Sequence, residues 1–240
     1  MLITGFAAGM FATNCYVVAP EAGASAVIID PGQDAAPSVR SVVAEHGLVP
    51  VAVLLTHGHL DHTWNAFEVC EEFDIPAYIH AADRGMLTDP ASGIGPAMSA
   101  MIGGMTFREP ATVIEFVDRQ PVTVAGIEFE VDLAPGHTRG SVLLTTDVPT
   151  DDGPVPVCFS GDVLFAGSIG RTDLPGGNHQ QLLDSIAERL LTRPDSTQVL
   201  PGHGTQTSVG AERASNPFLV GLPGVDPAAA AGRRKGRNGL

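Results

Sequence analysis

Apolar residues in this chain gather mostly into short runs of strand length, and only in a few places fall into a helical period. Leu2–Thr4, Cys15–Val18 and Ala26–Ile29 predict the first strands, with Asp30-Pro31-Gly32 as a turn after the third. A helix is expected around Ala36–His46. The run Val51-Ala52-Val53-Leu54-Leu55 then reads as a buried strand. Thr63–Phe73 predicts a second helix, ended before Ile75-Pro76, and Ala77–His80 another strand. Ala91–Gly104 is rich in Gly, Met and Ala and fits no period; it is read as a mobile flap or a short helical insertion. Val122–Val124 and Ile127–Leu133 flank Ala125-Gly126 as a hairpin, and strand-like runs recur at Ser141–Thr146 and Val155–Phe159. Gln180–Leu191 sets Leu182, Leu183, Ile186, Leu190 and Leu191 on one helical face. A last strand, Gln198–Leu200, enters Pro201-Gly202-His203. Many strands with helices between them, and no repeat, predict one layered α/β domain.

Composition narrows this picture. With 240 residues the chain can bury a sizeable core in one large domain or two small ones. The net charge is −14, and it is uneven. Arg233, Arg234, Lys235 and Arg237 stand against Asp226 alone, so residues 225–240 carry +3 and residues 1–224 carry −17. We therefore divide the chain into a folded unit over 1–224 and a disordered basic tail over 225–240. An acidic body repels phosphate backbones and argues against a nucleic-acid partner. Cys15, Cys70 and Cys158 are odd in number and far apart, so neither a disulfide framework nor a zinc knuckle is expected. No basic leader precedes Arg40 and no uncharged stretch suits a membrane span, which favours a cytoplasmic protein.

The chemistry concentrates at strand ends. Thr56-His57-Gly58-His59-Leu60-Asp61-His62 follows the run at 51–55. Residues two apart in an extended segment point the same way, so His57 and His59 can grip one metal. Asp61 and His62, where the chain turns into a helix, can reach a second one. Ala134-Pro135-Gly136-His137 follows the strand at 127–133, Gly161-Asp162 follows 155–159, and Gly202-His203-Gly204 follows 198–200. A lone His-x-His is weak, but seven candidate ligands at four strand ends, each end with a His or Asp beside glycine, are hard to explain as packing. His46, His80 and His179 fit no such pattern and are read as surface or core residues.

The combination of Thr-His-Gly-His-Leu-Asp-His at 56–62, Gly-His-Thr-Arg-Gly-Ser at 136–141, Gly-Asp at 161–162 and Gly-His-Gly at 202–204 resembles the metallo-β-lactamase superfamily over about residues 2–220. The resemblance implies a four-layer αββα sandwich with its site along one edge, between the sheets. It implies that His57, His59 and His137 hold one divalent ion and that Asp61, His62 and His203 hold a second. Asp162 would bridge both, and Asp30 would support without ligating. Zinc is the first expectation, with iron or manganese as alternatives. An Asp at 162, together with Gly161–Asp173, is similar to the glyoxalase II-like branch, the hydroxyacylglutathione hydrolases. The chain departs from full members of that branch: with 37 residues after His203, no C-terminal helical domain is expected. Arg171 is the candidate substrate contact.

The expected function is therefore a metal-dependent thioesterase acting on S-hydroxyacyl thiols through a metal-bridging hydroxide, with Asp61 and Asp162 as its catalytic carboxylates. A thiol of pKa about 8.5 leaves without a dedicated acid. Three alternatives stand beside this reading. A persulfide dioxygenase would use one iron on His57, His137 and Asp162. A lactonase or other ester hydrolase, a β-lactamase included, would share the same motifs. A metal-binding protein without turnover belongs to a different class, and lost ligands would be its signature. The sequence does not set the oligomeric state.

Overall fold

Continuous apolar runs in the central strands follow from burial on both faces, since successive side chains of a strand point to opposite sides. A computed structural model describes residues 1–225. It contains two six-stranded sheets, packed face to face, with helices on their outer sides. The first sheet runs in sequence order: β1 (Leu2–Ala8), β2 (Thr13–Ala19), β3 (Ser25–Ile29), β4 (Val49–Leu54), β5 (Ala77–His80) and β6 (Val113–Phe116). Strands β1 to β3 pair antiparallel and β3 to β6 parallel. The second sheet has β7 (Val122–Val124), β8 (Ile127–Leu133), β9 (Val142–Val148), β10 (Val155–Gly161), β13 (Gln198–Pro201) and β14 (Thr207–Ser208), in that spatial order. A small hairpin, β11 (Leu164–Phe165) and β12 (Ser168–Ile169), leaves the end of β10.

Three hydrophobic layers result. Val17, Ile28 and Val53 face α1 (Ala35–His46) and α3 (Ala66–Phe73), while their neighbours Val18, Ile29 and Leu54 face the space between the sheets. There they meet Phe129, Val131, Leu144 and Phe159 of the second sheet. Leu143 and Cys158 point the other way, toward α6 (His179–Ser185) and α7 (Val209–Ser215). This is the αββα sandwich that the resemblance implied. The three cysteines are buried in these layers and unpaired, with burial pushing Cys70 up to about 12 and Cys158 to about 11.

Several elements differ from expectation, each for a local reason. The helix foreseen over Thr63–Phe73 is two pieces, α2 (Leu60–Thr63) and α3. The break at Trp64-Asn65 lets the Asn65 N–H donate to Pro31 O (2.9 Å), tying this segment to the turn after β3. The helix at Gln180–Leu191 starts as α6, capped by Asn178 Oδ1, and widens into a π-helical turn over Ile186–Leu190. Leu182, Ile186 and Leu190 keep one buried face throughout. The segment at 91–104 is a helical insertion: a 3-10 turn at Pro90–Gly93 and the short α5 (Pro96–Met101), after α4 (Ala81–Arg84). Strand β6, the β11–β12 hairpin, β14, α4 and α7 had no foreseen counterpart. Among the described residues no helix is long and apolar enough to cross a membrane. Residues 226–240 of the expected basic tail lie outside the described residues. Val225, assigned to that tail by sequence, packs at the rim of the third apolar layer instead.

Candidate metal centre

Four strand ends converge at one edge of the sandwich. Strand β4 delivers His57, His59, Asp61 and His62; β8 leads to His137, β10 to Asp162 and β13 to His203. Their donor atoms form three overlapping groups, each within 4.8 Å: His57/His59/His137, His57/His62/Asp162 and Asp61/His62/His203. All seven candidate ligands thus meet in one place, with both sheets contributing. The two sheets are stitched together there by backbone bonds, Val142 N–H to Thr56 O (2.8 Å) and Asn14 N–H to Gly202 O (2.7 Å).

In the first group His137 Nε2 lies 2.8 Å from His59 Nδ1 and 3.2 Å from His57 Nε2. In the third, Asp61 Oδ2 lies 3.1 Å from His203 Nε2 and 3.5 Å from His62 Nε2. Asp162 reaches both groups: Oδ1 is 3.3 Å from His62 Nε2, and Oδ2 is 3.6 Å from both His137 Nε2 and His203 Nε2. The pairing of β10 with β13 shifts register between Phe159 and Gly161, immediately before this residue. Gly161 takes φ +47, and a Cβ there would strike Thr56. Gly202 has no room for a side chain because Asp162 and His62 press against it.

Outer contacts fix which ring nitrogen faces the centre. Asp30 is buried with φ +50, a strained position for a residue other than glycine. Its carboxylate accepts from Thr56 N–H (2.8 Å), Thr56 Oγ1 (2.6 Å) and His62 Nδ1 (2.9 Å). Because Thr56 Oγ1 donates to Asp30, it accepts from His57 Nδ1 (3.1 Å). His137 Nδ1 donates to Arg171 O at 2.8 Å. With these assignments His57, His62 and His137 use Nδ1 for the outer contact and turn Nε2, the atom left for a metal, inward.

The electrostatics point the same way. Burial first, and the neighbouring imidazoles second, push His57 below the ordinary imidazole value and His59 down to about 3. Both therefore keep a free lone pair at neutral pH. Burial opposes charge on His62, yet Asp162, Asp61 and Asp30 hold its pKa above the ordinary value. Burial works against ionised Asp61 and Asp162 too, and the surrounding imidazoles, His62 foremost, hold both below the usual carboxylate range. Buried carboxylates that raise a nearby base in this way create a demand for positive charge. At the centre, His62 Nε2 and Asp162 Oδ1 are buried without a hydrogen-bond partner, which is costly in a finished core. An all-nitrogen-and-oxygen donor set with orphaned atoms at its centre fits two divalent cations.

One residue escaped the sequence reading. Asp83, in α4, is buried and accepts three hydrogen bonds: Gly58 N–H (2.9 Å) and Thr138 Oγ1 (2.6 Å) on Oδ2, and Gly140 N–H (2.8 Å) on Oδ1. It clasps the His57–His59 loop to the His137 loop. Burial pushes its pKa up, against the pull of those three donors. His80, left unassigned by sequence, caps the same helix by accepting from Ala82 N–H. The side chain of Arg171 makes a two-pronged pair with Asp173 (2.8 Å on each prong) and is largely exposed.

The donor groups open into a cleft of about 710 Å³, lined also by Phe11, Leu60, Ile94, Phe165, Ile169 and Leu174. Asp61 and His203 are its most exposed candidate ligands, at 23% and 29%.

Comparison with known proteins places these features in context. The family described as the metallo-beta-lactamase superfamily matches residues 8–203. A Mycobacterium tuberculosis protein is 51% identical over 92% of this chain and 99% of its own length. Hydroxyacylglutathione hydrolase GloC of Haemophilus influenzae is 33% identical, over 87% of this chain and 93% of its own. Among solved structures, the BLEG-1 B3 metallo-beta-lactamase is 37% identical with a TM-score of 0.78, covering 92% of this chain and 100% of the other. A di-iron-bound form of TTHA1623 is 33% identical with a TM-score of 0.71, covering 91% and 100%. ETHE1 from Myxococcus xanthus is 28% identical with a TM-score of 0.71, covering 90% and 84%.

Proposed function

The chain belongs to the metallo-beta-lactamase superfamily and is a metal-dependent hydrolase of that group; from this premise we propose that it cleaves activated acyl bonds (thioesters, lactones or strained amides) at a dinuclear centre. The observation that carries the reading is the completeness of both donor groups, with Asp162 in contact with each. A single iron on His57, His137 and Asp162 would leave Asp61, His62 and His203 without a task, which counts against the dioxygenase. The similarity to a di-iron-bound protein supports a dinuclear centre, and favours iron over zinc as the metal to look for first. The similarity to a B3 metallo-beta-lactamase supports the wider acyl range over S-hydroxyacylglutathione alone. The Haemophilus hydrolase supports keeping that thioester within it.

When bound, two divalent ions would lower the pKa of a shared water and polarise a carbonyl oxygen. The chain's own residues do the rest. Asp30, Thr56 and the Arg171 carbonyl hold three imidazoles in one tautomer, and Asp162 fixes the spacing of the two groups. Apart from the candidate ligands, Ser168 and Arg171 are the polar side chains lining the cleft. Neither is placed as a general acid, which suits leaving groups that depart unprotonated, thiolates above all.

The test is a metal count and a substrate panel on one sample: S-lactoylglutathione, a simple lactone, a chromogenic cephalosporin, and glutathione persulfide with oxygen uptake. Hydrolysis of any of the first three with about two metals per chain supports the proposal. Oxygen uptake with one iron per chain would replace it with the dioxygenase. Two smaller effects are expected. Arg171→Ala should change KM by less than about threefold, since its exposed side chain is already paired with Asp173; a tenfold rise would make it a true substrate contact. Deleting residues 226–240 should leave kcat unchanged, and a large loss would place the tail in the site.

A further inference from the structure

We infer that the substrate is an uncharged acyl thioester whose acyl group is an apolar chain of several carbons, rather than an anionic conjugate such as a glutathione thioester. This rests on the hydrolase reading above and narrows its substrate. Away from the donor groups, the cleft wall is mostly hydrocarbon, with Ser168 and Arg171 as its polar side chains. Phe11 comes from the turn between β1 and β2, Leu60 from α2, and Ile94 from the helical insertion. Phe165 and Ile169 come from the β11–β12 hairpin, and Leu174 from the loop after it. Phe11, Ile94, Phe165 and Leu174 remain partly exposed there, so an apolar chain laid against them would remove hydrocarbon surface from water on both sides.

Charge recognition is lacking in the same place. Among the described residues Arg171 is the one arginine or lysine lining the cleft, and Asp173 already occupies both prongs of its guanidinium. A carboxylate carried into this wall would shed water without gaining a partner. The acidic body adds a long-range penalty for anions. The volume, about 710 Å³, accommodates a molecule of drug size rather than a small hydroxyacid alone. In the reaction one water adds across the thioester: the carbonyl carbon gains the oxygen, the C–S bond breaks, and carboxylate, thiol and one proton are released.

The experiment uses the full chain with its metals counted. N-acetylcysteamine thioesters of acetyl, butyryl and hexanoyl groups are compared with S-lactoylglutathione. kcat/KM is expected to rise about fourfold per buried methylene, with lactoylglutathione below the hexanoyl substrate. Leu174→Lys should flatten the series. Binding of the matching ketones, with CH2 in place of the thioester sulfur, is read by calorimetry and should tighten with chain length and show a negative heat-capacity change. A flat or falling series in the unmodified protein, or lactoylglutathione as the best substrate, would overturn this inference and leave the hydrolase reading intact. Chain-dependent ketone binding with no hydrolysis of any thioester, lactone or cephalosporin would instead sink the hydrolase reading while upholding the apolar cleft.

Discussion

Asp162→Ala is expected to fold normally, to retain fewer than two metal ions per chain, and to lose at least about a hundredfold in turnover. The reason is its position. Among the described residues no other carboxylate touches both donor groups: its two oxygens lie 3.3 Å from His62 on one side and 3.6 Å from His137 and His203 on the other. Alanine removes a donor from each group at once, together with one of the two charges that offset a cation in the cleft. The backbone at 162 stays held by its neighbours, with Val163 N–H bonded to Ser160 O at 3.1 Å, so circular dichroism should not change. Two measurements decide it: elemental analysis of the purified variant and turnover under excess metal. Full metal content with unchanged turnover would remove Asp162 from the mechanism.

Asp83→Asn is the second large effect, and it acts from outside the centre. The amide keeps the shape of the carboxylate but only one acceptor oxygen. If that oxygen keeps Gly140 N–H, the NH2 faces Gly58 N–H, and two donors meet in a buried place. An unsatisfied buried donor costs about 1–3 kcal/mol. The loops that carry His57, His59 and His137 lose their common anchor, and outer contacts of this kind are worth about 10–100-fold in metal affinity. Stepwise release of metal to a chelator should show one ion leaving earlier than in the unmodified protein while the other is held as before. Denaturation of the metal-free variant reports the stability loss separately. Release curves that superimpose on the unmodified protein would show that Asp83 only stabilises the fold.

The contrast between these two residues shows what a sequence can disclose. Asp162 stands beside a glycine at the end of an apolar run, as do His57, His59, His137 and His203, so pattern and chemistry coincide within a few positions. Asp83 sits in Ala-Ala-Asp-Arg with nothing distinctive nearby, and its partners Gly58 and Gly140 lie 25 and 57 residues away. Only the folded sheets bring them together. The break at Trp64-Asn65 was hidden for a similar reason: the local period of Ala66–Phe73 extends smoothly backwards, while the bond that interrupts it goes to Pro31. The central strands were legible because burial on both faces leaves long apolar runs. Strand β6 was not, because its middle residues Ile114 and Glu115 face solvent and blur the pattern. The insertion at 91–104 has helical turns too short to establish a period.

The donors arrive from both sheets, which sets an order of events during synthesis. When the ribosome has released the chain as far as β6, four of the seven ligands are already outside, yet none of the three donor groups is complete. The His57/His59 pair waits for His137, the His57/His62 pair for Asp162, and the Asp61/His62 pair for His203, which β13 supplies near the end. Metal uptake by both groups is therefore a late event, and a truncated product lacking residue 203 cannot assemble the centre. The loaded protein thereby carries a certificate that its two halves were both made and docked.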